Sequence, residues 1–166
     1  MHARIALLLA LAIALPGCGL RPLYAGGGDG AVAQGLGSVA IAPIEGRAGW
    51  LLRTALEDRI GQAPAAARYR LEIELDDQIT GLGIRSDNAV TREQRRLRAR
   101  YRLVENDRGT VVLDATAGSD AGIDVVSSEY ATVAAEQTAL ERLSKEVADQ
   151  IVARVALFVS RGAEAR

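Results

Sequence analysis

YRLEIELDDQI at residues 69–79 and RRLRARYRLV at residues 95–104 decide the fold. In the first, Tyr69, Leu71, Ile73, Leu75 and Ile79 fall on one side of an extended chain, and Arg70, Glu72, Glu74 and Asp76 on the other. In the second, Leu97, Ala99, Tyr101 and Leu103 alternate with Arg96, Arg98, Arg100 and Arg102. Successive side chains of a strand point to opposite faces, so each segment predicts a strand with one buried and one solvated face. Strands solvated on one face belong to antiparallel sheets, because parallel sheets are covered on both.

The neighbouring chain completes the architecture. Asn106–Gly109 reads as a turn, and Val111–Ala117 as a further strand. Upstream, SVAIAPI at residues 38–44 predicts the first strand, with Pro43 at its end or at an edge. Arg47–Ile60 sets Leu52, Ala55, Leu56 and Ile60 on one helical face, and Gly61 and Pro64 stop that helix. Downstream, Ser127 or Ser128 caps a long final helix with Glu129 in its first turn. Its apolar stripe is Leu140, Leu143, Val147, Ile151, Val155 and Phe158, ending near Val159. The order is β-α-β-β-β-α. Two helices then cover one face of a four-stranded, mostly antiparallel sheet, an α+β sandwich of two layers over residues 38–160, with residues 161–166 as a disordered tail.

The chain has 166 residues, enough for one domain with its own core. Its formal net charge of −1 gives no overall field that would draw in nucleic acid. Lys145 is the single lysine, so nearly all positive charge sits on arginines, whose forked guanidinium binds carboxylate or phosphate through two parallel bonds.

The N-terminus has a separate role. A basic start, Met1–Arg4, precedes the unbroken apolar run Ile5–Leu15. That run is shorter than the ~20 residues a membrane-spanning helix needs, and it fits the core of a secretory signal. Cys18, the only cysteine, follows at once; Leu15, Gly17 and Cys18 resemble the bacterial lipobox, with Pro16 where a small residue is usual. The resemblance implies a signal peptide over 1–17 and a diacylglyceryl thioether on Cys18, whose amine is acylated after cleavage. Gly19, not Asp, follows the cysteine, which by the same analogy directs the chain to the periplasmic face of the outer membrane. Residues 18–37 form the lipidated N-terminus and, through the glycine-rich stretch 26–37, a flexible tether. GGGDG at 26–30 is no phosphate loop, because Lys and Ser/Thr do not follow it.

Catalysis finds little footing. His2, the single histidine, leaves with the signal, and lipid blocks Cys18, which removes histidine triads, thiol nucleophiles and ordinary zinc sites. Asp76 and Asp77 are adjacent on a strand and point to opposite faces, and Glu72 and Glu74 look like partners for arginines. The sequence therefore predicts no enzyme, no catalytic residue, no metal and no cofactor.

The binding candidates are the four arginines 96, 98, 100 and 102, spaced about 6.6 Å apart along one strand face. Two readings stay open. A row of forked donors can grip phosphates. Alternatively, a hairpin pairing Glu72 with Arg100, Glu74 with Arg98 and Asp76 with Arg96 makes a solvated ion-pair ladder. Arg85, Arg92 and Arg95, in or beside the connection, are expected to be unpaired and free for a ligand or partner. GLGIRSDNAV at 81–90 is long for a hairpin connection, and Leu82, Ile84 and Arg85 are its candidate partner contacts. Trp50 is expected at the edge of the core.

CGLRPLY at residues 18–24, this element order and the final segment that opens SSEYATVAAEQTALERL at 127–143 together resemble the lipopolysaccharide-assembly lipoprotein family LptE. The resemblance implies a non-enzymatic outer-membrane lipoprotein that plugs the β-barrel LptD, assists its assembly and binds lipopolysaccharide on its way to the outer leaflet. Lipopolysaccharide would then be the ligand of Arg96, Arg98, Arg100 and Arg102, and the barrel wall the contact of Leu82, Ile84 and Arg85. An auxiliary lipoprotein subunit of a lipid-transport ABC system is the alternative of similar size and start.

Overall fold

The computed structural model describes residues 30–64, 66–84 and 90–164. The elements are α1 (Ala31–Leu36), β1 (Val39–Ile41), α2 (Gly46–Ile60), β2 (Tyr69–Ile84), β3 (Val90–Glu105), β4 (Thr110–Asp124) and α3 (Glu129–Glu164). The sheet order is β1-β2-β3-β4; β1 runs parallel to β2, and the other neighbours are antiparallel. This is the expected α+β sandwich, with α1 as an addition. The tether expected through residue 37 contains that helix, and Leu36 enters the core at 3% exposure. At the other end, α3 runs through residue 164 into the stretch expected as a tail.

The apolar stripes pack as their spacing requires. Leu52, Ala55, Leu56 and Ile60 of α2 meet Leu71 and Ile73 of β2 and the inward face of β3, Leu97 to Leu103. Leu140, Leu143, Val147, Ile151 and Val155 of α3 close the same core, while Phe158 stands edge-on to Tyr69 with ring centroids 6.0 Å apart. The N–H of Ala131 donates to Ser128 Oγ at 3.4 Å, so the serine cap lies where the sequence places it. Gly61, at φ +84°, ends α2 and donates its N–H to the Glu57 carbonyl at 2.8 Å. Gly49 lets α2 start tight against the preceding chain, because a Cβ there would stand 2.6 Å from the Ile44 carbonyl oxygen. A two-pronged pair, Arg59 to Asp149 at 2.5 and 3.1 Å, ties α2 to α3 on the outside and holds the Asp149 carboxyl below its usual range.

Three expectations fail in instructive ways. Half of the 81–90 connection is strand: β2 reaches Ile84, and β3 begins at Val90 opposite it. β4 extends seven residues past Ala117, the expected end, to Asp124, although GSDAGID is poor in strand formers. Pairing with the long β3 imposes that extension. Trp50 is 64% exposed and stands outside the core edge. Among the described residues no helix is long and apolar enough to cross a membrane.

Candidate functional site

The two helices leave the other sheet face open, and that face carries most of the sheet's charge. Alternation puts Arg70, Arg92, Arg96, Arg98, Arg100 and Arg102 there against Glu72, Glu74, Asp76, Asp114, Asp120 and Asp124. Six guanidinium groups facing six carboxylates leave no net field to attract a polyanion.

The pairing differs from the expected ladder by two residues. Glu72 lies opposite Arg102, Glu74 opposite Arg100, Asp76 opposite Arg98 and Gln78 opposite Arg96. A two-residue shift keeps every side chain on its face. Most of the ion pairs then form on the other side of β3. Arg100 meets Asp114 at 3.0 Å, Arg98 meets Asp120 at 3.6 Å and Arg92 meets Asp124 at 3.4 Å. Of these arginines only Arg102 turns to β2, toward Glu72 and Glu74 at 3.5 Å each. The first two partners lie one pair along the strand, at the diagonal distance that long side chains span. Gly118 makes room for this: Arg98 lies across it, and a Cβ there would come within 2.5 Å of the Arg98 Cδ. The Arg100 hydrogen bond lowers the Asp114 carboxyl below its usual range.

Arg96 is the exception. Among the described residues it has no carboxylate partner; Gln78, opposite it, instead donates to Asp76 at 3.1 Å. Arg92 and Arg95, expected to be free, are both paired. Leu82 lies on the open face beside Arg92 and is 42% exposed. Ile84 pairs with Val90 at the end of the ribbon, and its side chain, Arg85 and Cys18 lie outside the described residues. Among the described residues no three of His, Cys, Asp or Glu are grouped to hold a metal.

A second polar group, which no sequence pattern singles out, sits on the helix side. Arg95 donates to both oxygens of Asp77 at 2.9 and 2.5 Å and to the Glu136 carbonyl at 3.0 Å, which pins α3 to the sheet. Beside it, Glu93 Oε2 is buried with no hydrogen-bond partner. Burial first, and the nearby Glu136 carboxylate second, push the Glu93 pKa up. A raised folded-state pKa contributes stability below the usual glutamate range and loses it as pH rises through the folded value. Glu93→Gln removes that loss. The variant is expected to melt higher than the parent at neutral pH and at the same temperature near pH 4; equal melting at both, by circular dichroism, would contradict it.

The sequence profile of the LptE family, described as lipopolysaccharide-assembly, matches residues 36–155. Among curated proteins no sequence matches. The crystal structure of a lipoprotein from Caulobacter crescentus is similar at TM-score 0.67 and 29% identity, covering 80% of this chain and 98% of that one. Lipoprotein B from Nitrosomonas europaea, solved by NMR, superposes at TM-score 0.59 and 17% identity, covering 77% and 87%. The rare lipoprotein B from Shewanella oneidensis does so at 0.55 and 10%, covering 76% and 96%. The last two share the fold alone.

Proposed function

Because this chain belongs to the LptE family of lipopolysaccharide assembly, we propose that it is an outer-membrane lipoprotein, anchored through Cys18, that plugs the LptD β-barrel, assists its assembly and helps deliver lipopolysaccharide to the outer leaflet. The observation that carries this reading is the family match over residues 36–155, nearly the whole folded domain. The role asks for a rigid body with a long strand ribbon and needs no catalytic group. Leu82, Ile84 and Arg85 are the proposed contacts with the barrel wall. Depleting the chain is expected to leave the barrel misfolded in outer membranes; normal levels of folded barrel would contradict the assembly role.

Lipopolysaccharide would meet Arg96, Arg98, Arg100 and Arg102 as a competitor for carboxylates they already hold. Arg96 is the entry point, because a phosphate there displaces no internal partner, while Arg98 and Arg100 exchange Asp120 and Asp114 for it. Arg96→Gln is therefore expected to weaken lipopolysaccharide binding by about tenfold, the effect of removing one charge-assisted hydrogen bond, and to leave the melting temperature nearly unchanged. Unchanged binding would make the row a structural ladder only.

A further inference from the structure

The two outer edges of the sheet are treated differently. On β4 the edge groups of Gly118 are occupied: its N–H donates to the Gln150 Oε1 at 3.2 Å, and its carbonyl accepts from Nε2 at 3.2 Å. On β2 nothing comparable occurs among the described residues. β1 pairs only with Tyr69–Leu71, and among the described residues no strand lies beside β2 beyond that point. The bonds Tyr69 N–H to Ser38 and Ala42 N–H to Leu71 fix which residues face outward. By alternation the free N–H and C=O groups from there on belong to Ile73, Leu75, Asp77, Ile79 and Gly81. This edge lacks two of the usual guards and keeps a third, the charges of Asp76 and Asp77. Its pairing with β3 shows no bulge, and Leu75–Leu82 holds no Lys or Pro.

Side chains beside the edge specify what could fill it. On the open face, Glu74 is 72% exposed with Arg102 3.5 Å away and Arg100 opposite it, and Asp76 has no arginine ion pair among the described residues. On the helix side, Ile79 is 43% exposed, because α2 covers only the start of β2. A second copy would bring these acids against their own kind, which disfavours self-pairing. We propose that the β2 edge from Leu75 to Gly81 is a docking site for an extended segment of a partner protein, with basic side chains on the open face alternating with apolar ones on the helix side. Backbone bonds to the outward groups hold the segment, Glu74 and Asp76 select its basic residues, and Ile79 receives an apolar one. This inference rests on edge geometry and charge and is independent of the barrel role.

The probe is a short capped peptide of alternating arginine and valine, added to the full-length chain in detergent micelles. Residue-resolved amide exchange is expected to slow about tenfold at Leu75, Asp77 and Ile79 and to stay unchanged at Gly118. The protection should vanish in the Glu74→Lys/Asp76→Lys double variant and in Ile79→Pro, which removes an outward donor that β3 does not use. Should the proline variant fold poorly, the charge reversal alone decides. Equal protection by a peptide with the same residues in two blocks would mean charge attraction only and would overturn the proposal. So would no protection, or protection that grows with protein concentration without peptide, which would assign the edge to a second copy.

Discussion

Leu143→Ala is expected to destabilise the domain by about 3 kcal/mol, within the range for a buried leucine truncated in place. Leu143 is fully buried in the α3 stripe, in the core that the stripe shares with the sheet. Helix and sheet backbones around it are fixed by their own ladders, so the site has little freedom to collapse on the void. For a domain of this size the melting midpoint should fall by about 10 °C. Leu157→Ala is the control. Leu157 lies on the same helix but is 41% exposed, and its truncation should move the midpoint by at most a degree or two. Equal shifts for the two would mean that α3 does not pack as a layer over the sheet.

Cys18→Ala carries the larger functional effect. If Cys18 receives lipid, every later step depends on its thiol, because cleavage follows lipidation and the anchor is the acyl chains themselves. At about 0.8 kcal/mol per buried methylene, three chains hold a protein on a membrane permanently, whereas the described residues contain no helix able to cross one. The variant should accumulate as uncleaved precursor and supply almost no protein to the outer membrane. Intact-mass measurement reads both outcomes; a mature-sized product without lipid would contradict the assignment of Cys18.

Periodicity made the sandwich legible. The alternation around Leu71–Leu75 and Leu97–Leu103 and the stripe from Leu140 to Val155 are strong because burial on one face enforces them. Weaker signals misled where tertiary pairing overrides local preference. Thr80–Ile84 and Gly118–Asp124 are glycine-rich and look like loops, yet each lies beside β3 and completes its ladder. The arginine row was legible as a face, but its partners were not: a hairpin pattern shows the acids of β2, while Asp114 and Asp120 reach the same arginines from β4. Arg95 was misread for a related reason. Its parity puts it on the helix side, where Asp77 and the Glu136 carbonyl await it, and only the packing of α3 reveals both. Trp50 has the residue type of a core edge, but α2 turns it outward. That Arg96 has no carboxylate partner and the β2 edge no neighbouring strand among the described residues follows from register and strand length, which no local pattern encodes.

Isolation of the tagged full-length chain from its own outer membrane in mild detergent, with mass analysis of what accompanies it, tests the central claim most directly. A large β-barrel in equal amount is the predicted result. Inner-membrane transport subunits in its place, or no partner at all, would contradict the barrel-plug function.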